Sequence, residues 1–148
     1  YYVMRKSEQH IDFDLDLAVS QSKDNAVYYI QYAHARICRM LEKVANFDLA
    51  AARTHVARLS LDVESEILAK LAAYPEVIIR SANAYEPHQI GNYLKELAAL
   101  FHAWYNENRV LNDDDADLTQ ARLVLSVAVQ QVIKNGLALL GVSAPTQM

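Results

Sequence analysis

The stretch Tyr28-Tyr29-Ile30-Gln31-Tyr32-Ala33-His34-Ala35-Arg36 places three tyrosines, a histidine and an arginine within nine positions. On a helix, Tyr29, Tyr32 and Arg36 stand at i, i+3 and i+7 and share one face, two turns long. Two phenols and a guanidinium are an odd choice for a core face. They suit a flat ligand with polar edges, such as an unpaired nucleotide base. Aromatic and guanidinium planes stack on bases, and phenol and guanidinium edges hydrogen-bond to them. The plainer reading is that Tyr28, Tyr29 and Tyr32 pack half-buried with their hydroxyls in water.

The elements that must hold this face are helical. The chain has 148 residues, enough for one domain with a real core, and is 53% apolar with only 3 Gly and 3 Pro. A helix is predicted from Ala26 to about Asn46, with Val27, Ile30, Ala33, Ile37, Met40, Leu41 and Val44 facing the core. The Tyr29-Tyr32-Arg36 stripe lies beside that face and is free to point outward; Tyr28 is read as packing. Cys38 has no neighbouring base and reads as a small packing residue.

Upstream, Tyr1 to Arg5 reads as a short strand. Ile11 to Leu17 alternates apolar and acidic residues. It reads as extended chain followed by a helix that Asp14 caps and that runs to Gln21. Its three aspartates lack the glycine and distal glutamate of a calcium loop. Downstream, a short helix is expected from Asp48 to about His55. Another runs from Leu61 through Ala72 and is interrupted at Tyr74-Pro75-Glu76. Glu86-Pro87-His88 opens a long helix whose core stripe is Ile90, Leu94, Leu97, Phe101 and Trp104, with Tyr93 and Tyr105 off the stripe. It ends in a second aromatic and polar cluster, Trp104 to Arg109. His88 and His102 read as surface or capping residues, and no spacing suits a metal site. The last helix is expected from Ala116 to Leu140, with Leu118, Ala121, Leu125, Ala128, Val132 and Leu139 on one face and Gly141 ending it. The fold class is all-α, a helical bundle with two polar-aromatic clusters outside its core stripes.

A formal net charge of −4 argues against binding nucleic acid by bulk phosphate attraction, so any RNA contact must be local. The single cysteine excludes an internal disulfide framework and a multi-cysteine zinc site. No apolar run is long enough to span a membrane, and the N-terminus lacks a signal-peptide layout. It starts in mid-pattern without Met, as a piece cut from a longer protein would. There is no glycine-rich phosphate loop, catalytic triad order or carboxylate cleft. The residues alone describe a binding module, for RNA or, as the alternative, a helical protein–protein interaction module with a tyrosine hot spot.

Several segments go further. Tyr28 to Arg36, YYIQYAHAR, closely resembles the signature of arginyl-tRNA synthetases near the start of their C-terminal anticodon-binding domain. Met4-Arg5-Lys6-Ser7 and Asp12 to Ala18 resemble that family's exit from the catalytic domain. Glu86-Pro87-His88, Asn92-Tyr93-Leu94, Phe101 to Asn106, Arg109-Val110-Leu111, Val132 to Leu137 and Leu139 to Met148 fit the same pattern in order. Ala121-Arg122-Leu123 stands where the family has its DALR tetrapeptide. The resemblance implies a DALR-type anticodon-binding helical bundle at 23–148, preceded at 1–22 by a junction segment from the catalytic domain.

It also implies that the intact protein is an arginine–tRNA ligase, cytoplasmic, using ATP and Mg to esterify tRNA with arginine. The catalytic signatures are missing here, so this piece is expected to be non-catalytic, with no cofactor of its own. Its implied partners are the anticodon loop of an arginine-accepting tRNA and its own N-terminal catalytic domain, with no membrane. By the same resemblance, anticodon contacts fall on Tyr29, Tyr32, Arg36, Tyr105, Arg109 and Met148, with His34 and Asn106 as weaker candidates. Arginine at 109 would replace aromatic stacking by a cation–π or phosphate contact.

Overall fold

The computed structural model describes residues 14–22 and 24–148. The strand expected at Tyr1 to Arg5 lies outside them, as does most of the 1–22 junction. The described elements are α1 (Leu15–Val19), α2 (Ala26–Leu41), α3 (Leu49–Ala52) with a 3₁₀ extension (Arg53–Arg58), α4 (Asp62–Ala72), α5 (Tyr74–Ala84), α6 (His88–Glu107) and α7 (Ala116–Leu139). Among the described residues there is no strand, and no helix is long and apolar enough to cross a membrane.

Side-chain caps start α2, α3 and α7. Asn25 sits in extended backbone before α2, and its side-chain oxygen accepts from the Val27 and Tyr28 N–H groups at 3.1 and 3.4 Å. Its amide nitrogen donates back to the Ser20 carbonyl at 3.0 Å, which ties the preceding turn to the α2 N-terminus. Asp48 caps α3 in the same way. Asp115 caps α7 through the Leu118 N–H at 3.0 Å, and its other oxygen meets Arg58 at 2.6 Å. The Leu118 N–H first, then Arg58, holds the Asp115 carboxyl below its usual range.

α2 ends at Leu41, short of the expected Asn46. Residues 42–44 bond to carbonyls three and four back, and Asn46 takes a left-handed φ of 57°, which a helix cannot continue through. α7 closes as expected. Gly141 takes φ 70°, its N–H reaches the Ala138 carbonyl, and the Val142 N–H reaches Leu137, a Schellman ending.

α6 and α7 form the centre of the bundle. α6 packs against α2, α4, α5 and α7, while α7 packs against α2, α3, the 3₁₀ segment, α4 and α6. The predicted α6 stripe is buried throughout: Ile90, Leu94, Leu97, Phe101 and Trp104. Tyr93, expected off that stripe, is buried too. Its hydroxyl donates to the Lys70 carbonyl at 2.7 Å, and burial, with Tyr74 beside it, pushes its pKa up to about 12. His88 and His102, expected as surface or capping residues, are both buried. On α7 the expected face is only partly right. Ala121 and Leu125 are buried, but Val129, Ile133 and Leu137 continue the core, Ala128 and Val132 are half-buried, and Leu139 is 59% exposed. A helix surrounded by several elements is apolar on more than one side, so its period does not single out one face.

Gly136 is where α7 meets α6 most closely. A Cβ there would lie 2.7 and 2.8 Å from the two methyls of Leu94, which is itself fully buried. Gly136→Ala is expected to cost up to about 2 kcal/mol in urea denaturation. The overpacking penalty of about 1–3 kcal/mol outweighs the gain of about 1 kcal/mol in helix propensity.

A buried polar knot fixes the far end of α6. Glu64, fully buried in the first turn of α4, accepts from the Ser60 and Leu61 N–H groups at 3.0 and 3.1 Å with one oxygen. Its other oxygen accepts from Arg122 Nε at 2.9 Å and Trp104 Nε1 at 3.3 Å. Arg122 Nη1 also donates to the Arg109 carbonyl at 3.0 Å. The arginine of the Ala121-Arg122-Leu123 segment thus pins the loop that follows α6 from beneath.

Candidate functional site

The α2 stripe and the C-terminal end of α6 meet, and their polar side chains converge. Arg36 is the hub. Its guanidinium carbon lies 4.1 Å from the centre of the Tyr105 ring, a cation–π contact across the two helices. Nη2 donates to Asn106 Oδ1 at 2.7 Å, and Nη1 approaches His102 Nδ1 at 3.4 Å. Behind it, His102 Nε2 lies 3.4 Å from the Tyr29 carbonyl.

The rings stack in sequence. Tyr28 and Tyr32 are nearly parallel, with centres 6.5 Å apart and planes at 3°. Tyr32 in turn stacks on His102 at 5.5 Å, and Tyr29 tilts against the same imidazole at 4.7 Å. The result is an open cavity of about 440 Å³ between α2, α6 and the turn before α2, bordered by Tyr28, Tyr32, Arg36, His102 and Asn106. That volume is in the range of ordinary ligand pockets. Tyr32 is 42% exposed at its mouth, so part of its phenol is open to solvent.

A second open cavity, about 490 Å³, lies around the end of α6 and is lined by Tyr105 to Leu111. Tyr105 and Asn106 take part in both regions. Arg109 belongs to the second. Its guanidinium is exposed and turned to Asp113 at 2.8 Å, four residues on.

Of the sequence-predicted residues, the structure therefore brings together Tyr29, Tyr32, Arg36, Tyr105 and Asn106. It places Arg109 round the corner from them. His34 lies elsewhere on α2, and Met148 lies on the C-terminal tail beside that helix. His34 is buried, and its Nδ1 lies 2.9 Å from the Pro145 carbonyl, while Gln31 donates to the Ser143 carbonyl at 2.8 Å. The Met148 carbonyl accepts from Arg39 at 3.4 Å. These bonds strap the tail along α2. Cys38, expected to have no neighbouring base, has His34 Nδ1 3.7 Å from its Sγ; it also accepts from Gln130 Nε2 at 2.9 Å and is half-buried.

Two site residues were missed by sequence reasoning. Tyr28 was read as packing, yet it borders the cavity; its i, i+4 spacing to Tyr32 was the available signal. His102 was read as a surface or capping residue, yet it is the cavity's floor. Burial first, and the Arg36 charge besides, lower its pKa from an ordinary 6.5, against an opposing pull from the Tyr29 carbonyl. The unfolded chain therefore takes up a proton first. The stability this group contributes is whole above pH 6.5 and is lost as pH falls below it. Among the described residues, no three His, Cys, Asp or Glu side chains converge to hold a metal ion.

Comparison with known proteins matches residues 30–148 to the DALR anticodon binding domain. The chain belongs to the DALR anticodon-binding domain family. Over its whole length it is 79% identical to an arginine–tRNA ligase of Acinetobacter baumannii (strain AYE), covering 25% of that protein. It is 57% identical to the arginine–tRNA ligase of Psychrobacter sp. (strain PRwf-1), covering 27% of it. It thus spans about a quarter of the length of these relatives. Among solved structures, a Thermus thermophilus arginyl-tRNA synthetase superposes with a TM-score of 0.81 at 30% identity, over 99% of this chain and 25% of that one. A Campylobacter jejuni chain described as an arginyl-tRNA synthetase gives 0.87 at 30% identity, over 99% of this chain and 32% of that one. The all-helical architecture agrees with the bundle expected from the residues, and the family match with the DALR type that the resemblance implies.

Proposed function

We infer that this DALR domain recognises the anticodon loop of an arginine-accepting tRNA as the C-terminal part of an arginine–tRNA ligase. The observation that carries this reading is the Arg36 cluster. A guanidinium fixed against Tyr105 and Asn106 borders a cavity lined by the phenols of Tyr28, Tyr29 and Tyr32, of which Tyr32 is exposed. Anticodon bases can unstack from their loop, and each base on an aromatic face would contribute about 1–3 kcal/mol. Tyr32 and Tyr29 would supply stacking, and the unused N–H groups of Arg36 would read a base edge. Tyr105 and Asn106 would hold Arg36 and border the second cavity, and Arg109 there would meet a base or phosphate. Met148 would contribute from the strapped tail, with His34 holding that tail in place.

In this reading 23–148 is the RNA-binding bundle and 1–22 the junction to a catalytic domain. The intact ligase would act in the cytoplasm and aminoacylate tRNA with arginine. The ATP and Mg that reaction requires would be handled by the part of the ligase this chain does not cover. A net charge of −4 suits a domain that reads bases locally while other surfaces grip the tRNA body.

The test is titration of a fluorescently labelled anticodon stem-loop from an arginine-accepting tRNA into the chain. Tyr32→Ala and Tyr105→Ala are each expected to weaken binding by roughly tenfold, the value of one lost stack or support. If both bind like the parent, the site is wrongly placed, and the protein-interaction alternative gains.

A further inference from the structure

We propose that His102 is a positioning residue for RNA binding, its unprotonated Nδ1 holding the Arg36 guanidinium so that the remaining N–H groups face the ligand. This rests on the anticodon reading and extends it to a residue outside the set that the family resemblance supplied.

Hydrogen-bond chemistry fixes the imidazole. An arginine only donates, so the nitrogen facing Arg36 Nη1 must present a lone pair. A carbonyl only accepts, so the nitrogen facing the Tyr29 oxygen must carry the hydrogen. Both nitrogens are thus committed in one neutral tautomer. The ring has little freedom to turn, because it is buried between Tyr29 and Tyr32 of α2, with Phe101 at 5.9 Å on its own helix. Among the described residues, the titratable and charged groups of α2 that face it or share its cavity are Tyr28, Tyr29, Tyr32 and Arg36; on α6 its neighbours Phe101 and Asn106 are uncharged, and Gln21 and Ser22 of the turn before α2 carry no charge.

Arg36 is held on three sides by different chemistry: the Tyr105 face, the Asn106 oxygen and the His102 lone pair. A guanidinium carries five N–H donors, so donors remain for a ligand once two contacts are made. Protonating His102 would turn its acceptor into a donor aimed at a donor and add a cation beside the guanidinium. Arg36 would then leave its place. Lower pH should therefore weaken RNA binding, opposite to the effect of an added cation acting by charge alone.

The experiment measures stem-loop affinity by fluorescence anisotropy in steps from about pH 7.5 down to the lowest pH at which circular dichroism shows the parent folded. The parent is compared with His102→Asn and His102→Gln. Asparagine keeps an acceptor near the Nδ1 position and cannot titrate. Glutamine keeps a donor for the Tyr29 carbonyl and offers Arg36 no acceptor at the Nδ1 position. The parent is expected to lose about fivefold in affinity on acidification. His102→Asn should stay within about twofold of the parent at the higher pH and be flat with pH. His102→Gln should be weaker by roughly tenfold at the higher pH and also flat, as loss of one hydrogen bond to a charged group requires.

The asparagine variant also controls for titration of the RNA itself. An affinity that holds or rises on acidification of the parent overturns the proposal, as does a glutamine variant equal to the parent. Should His102→Gln unfold, the parent and His102→Asn profiles decide, and parallel profiles overturn it. Binding that depends on Arg36 but not on His102 defeats this assignment alone; no stem-loop binding by the parent defeats the anticodon reading with it.

Discussion

Replacing Arg36 by alanine is expected to weaken anticodon stem-loop binding by roughly a hundredfold, the largest loss from any single change in the cavity. The figure is a sum of two effects. The charged hydrogen bonds that Arg36 offers a base edge would contribute about 1.5–3 kcal/mol. The variant also removes the support that orders the rest, because Tyr105 loses the guanidinium packed on its face and Asn106 loses its 2.7 Å partner. Arg36→Lys should recover little of this, since an ammonium has no plane to lay on Tyr105 and cannot fork between Asn106 and His102. Stability should change little, because Arg36 is only half-buried and opens to the cavity. Anisotropy titration of the stem-loop, with a thermal melt of the same samples, separates the two effects. A drop in affinity of less than about threefold would remove Arg36 from the centre of the site.

The largest effect on stability should come from Arg122→Met. The Glu64 carboxylate is fully buried and Arg122 nearly so. Removing the cation leaves an uncompensated charge in the core, with an expected cost of about 3–5 kcal/mol. For a domain of this size that is a fall in melting temperature of roughly 10–20 °C. The double variant Glu64→Gln/Arg122→Met should recover about half of the loss. Glutamine removes the buried charge while keeping an oxygen for Ser60 and Leu61 or for Trp104. If the single variant melts within about 3 °C of the parent, the ion pair is not structurally important. Arg122 also donates to the Arg109 carbonyl, so the same change should loosen the loop lining the second cavity.

Much of the fold was readable because its helices are amphipathic on one side. The α6 stripe from Ile90 to Trp104 obeys one period and is buried throughout. α7 is harder, because partners on several sides bury residues that a single stripe does not predict, and Leu139, on the expected core face, is exposed. The site was half legible. Tyr29, Tyr32 and Arg36 share a face by spacing alone, but their union with Tyr105 and Asn106 depends on how α2 crosses α6. His102 follows Phe101 on the core helix, where sequence cannot separate a surface histidine from a buried one. The positioning role proposed for it depends on Tyr29 and Arg36 standing against its two nitrogens. Arg109 carried a readable warning, because Asp113 four residues on is a natural ion-pair partner.

The central claim is that this domain reads anticodon bases, and not merely RNA charge. The most direct measurement compares the affinity of the chain for the arginine anticodon stem-loop with that for the same stem-loop carrying substituted anticodon bases, at one salt concentration. The stem and phosphates are identical, so the electrostatic contribution cancels. The account predicts at least about tenfold tighter binding of the arginine anticodon, as loss of one or more base contacts requires. Equal affinity for the two RNAs would contradict it.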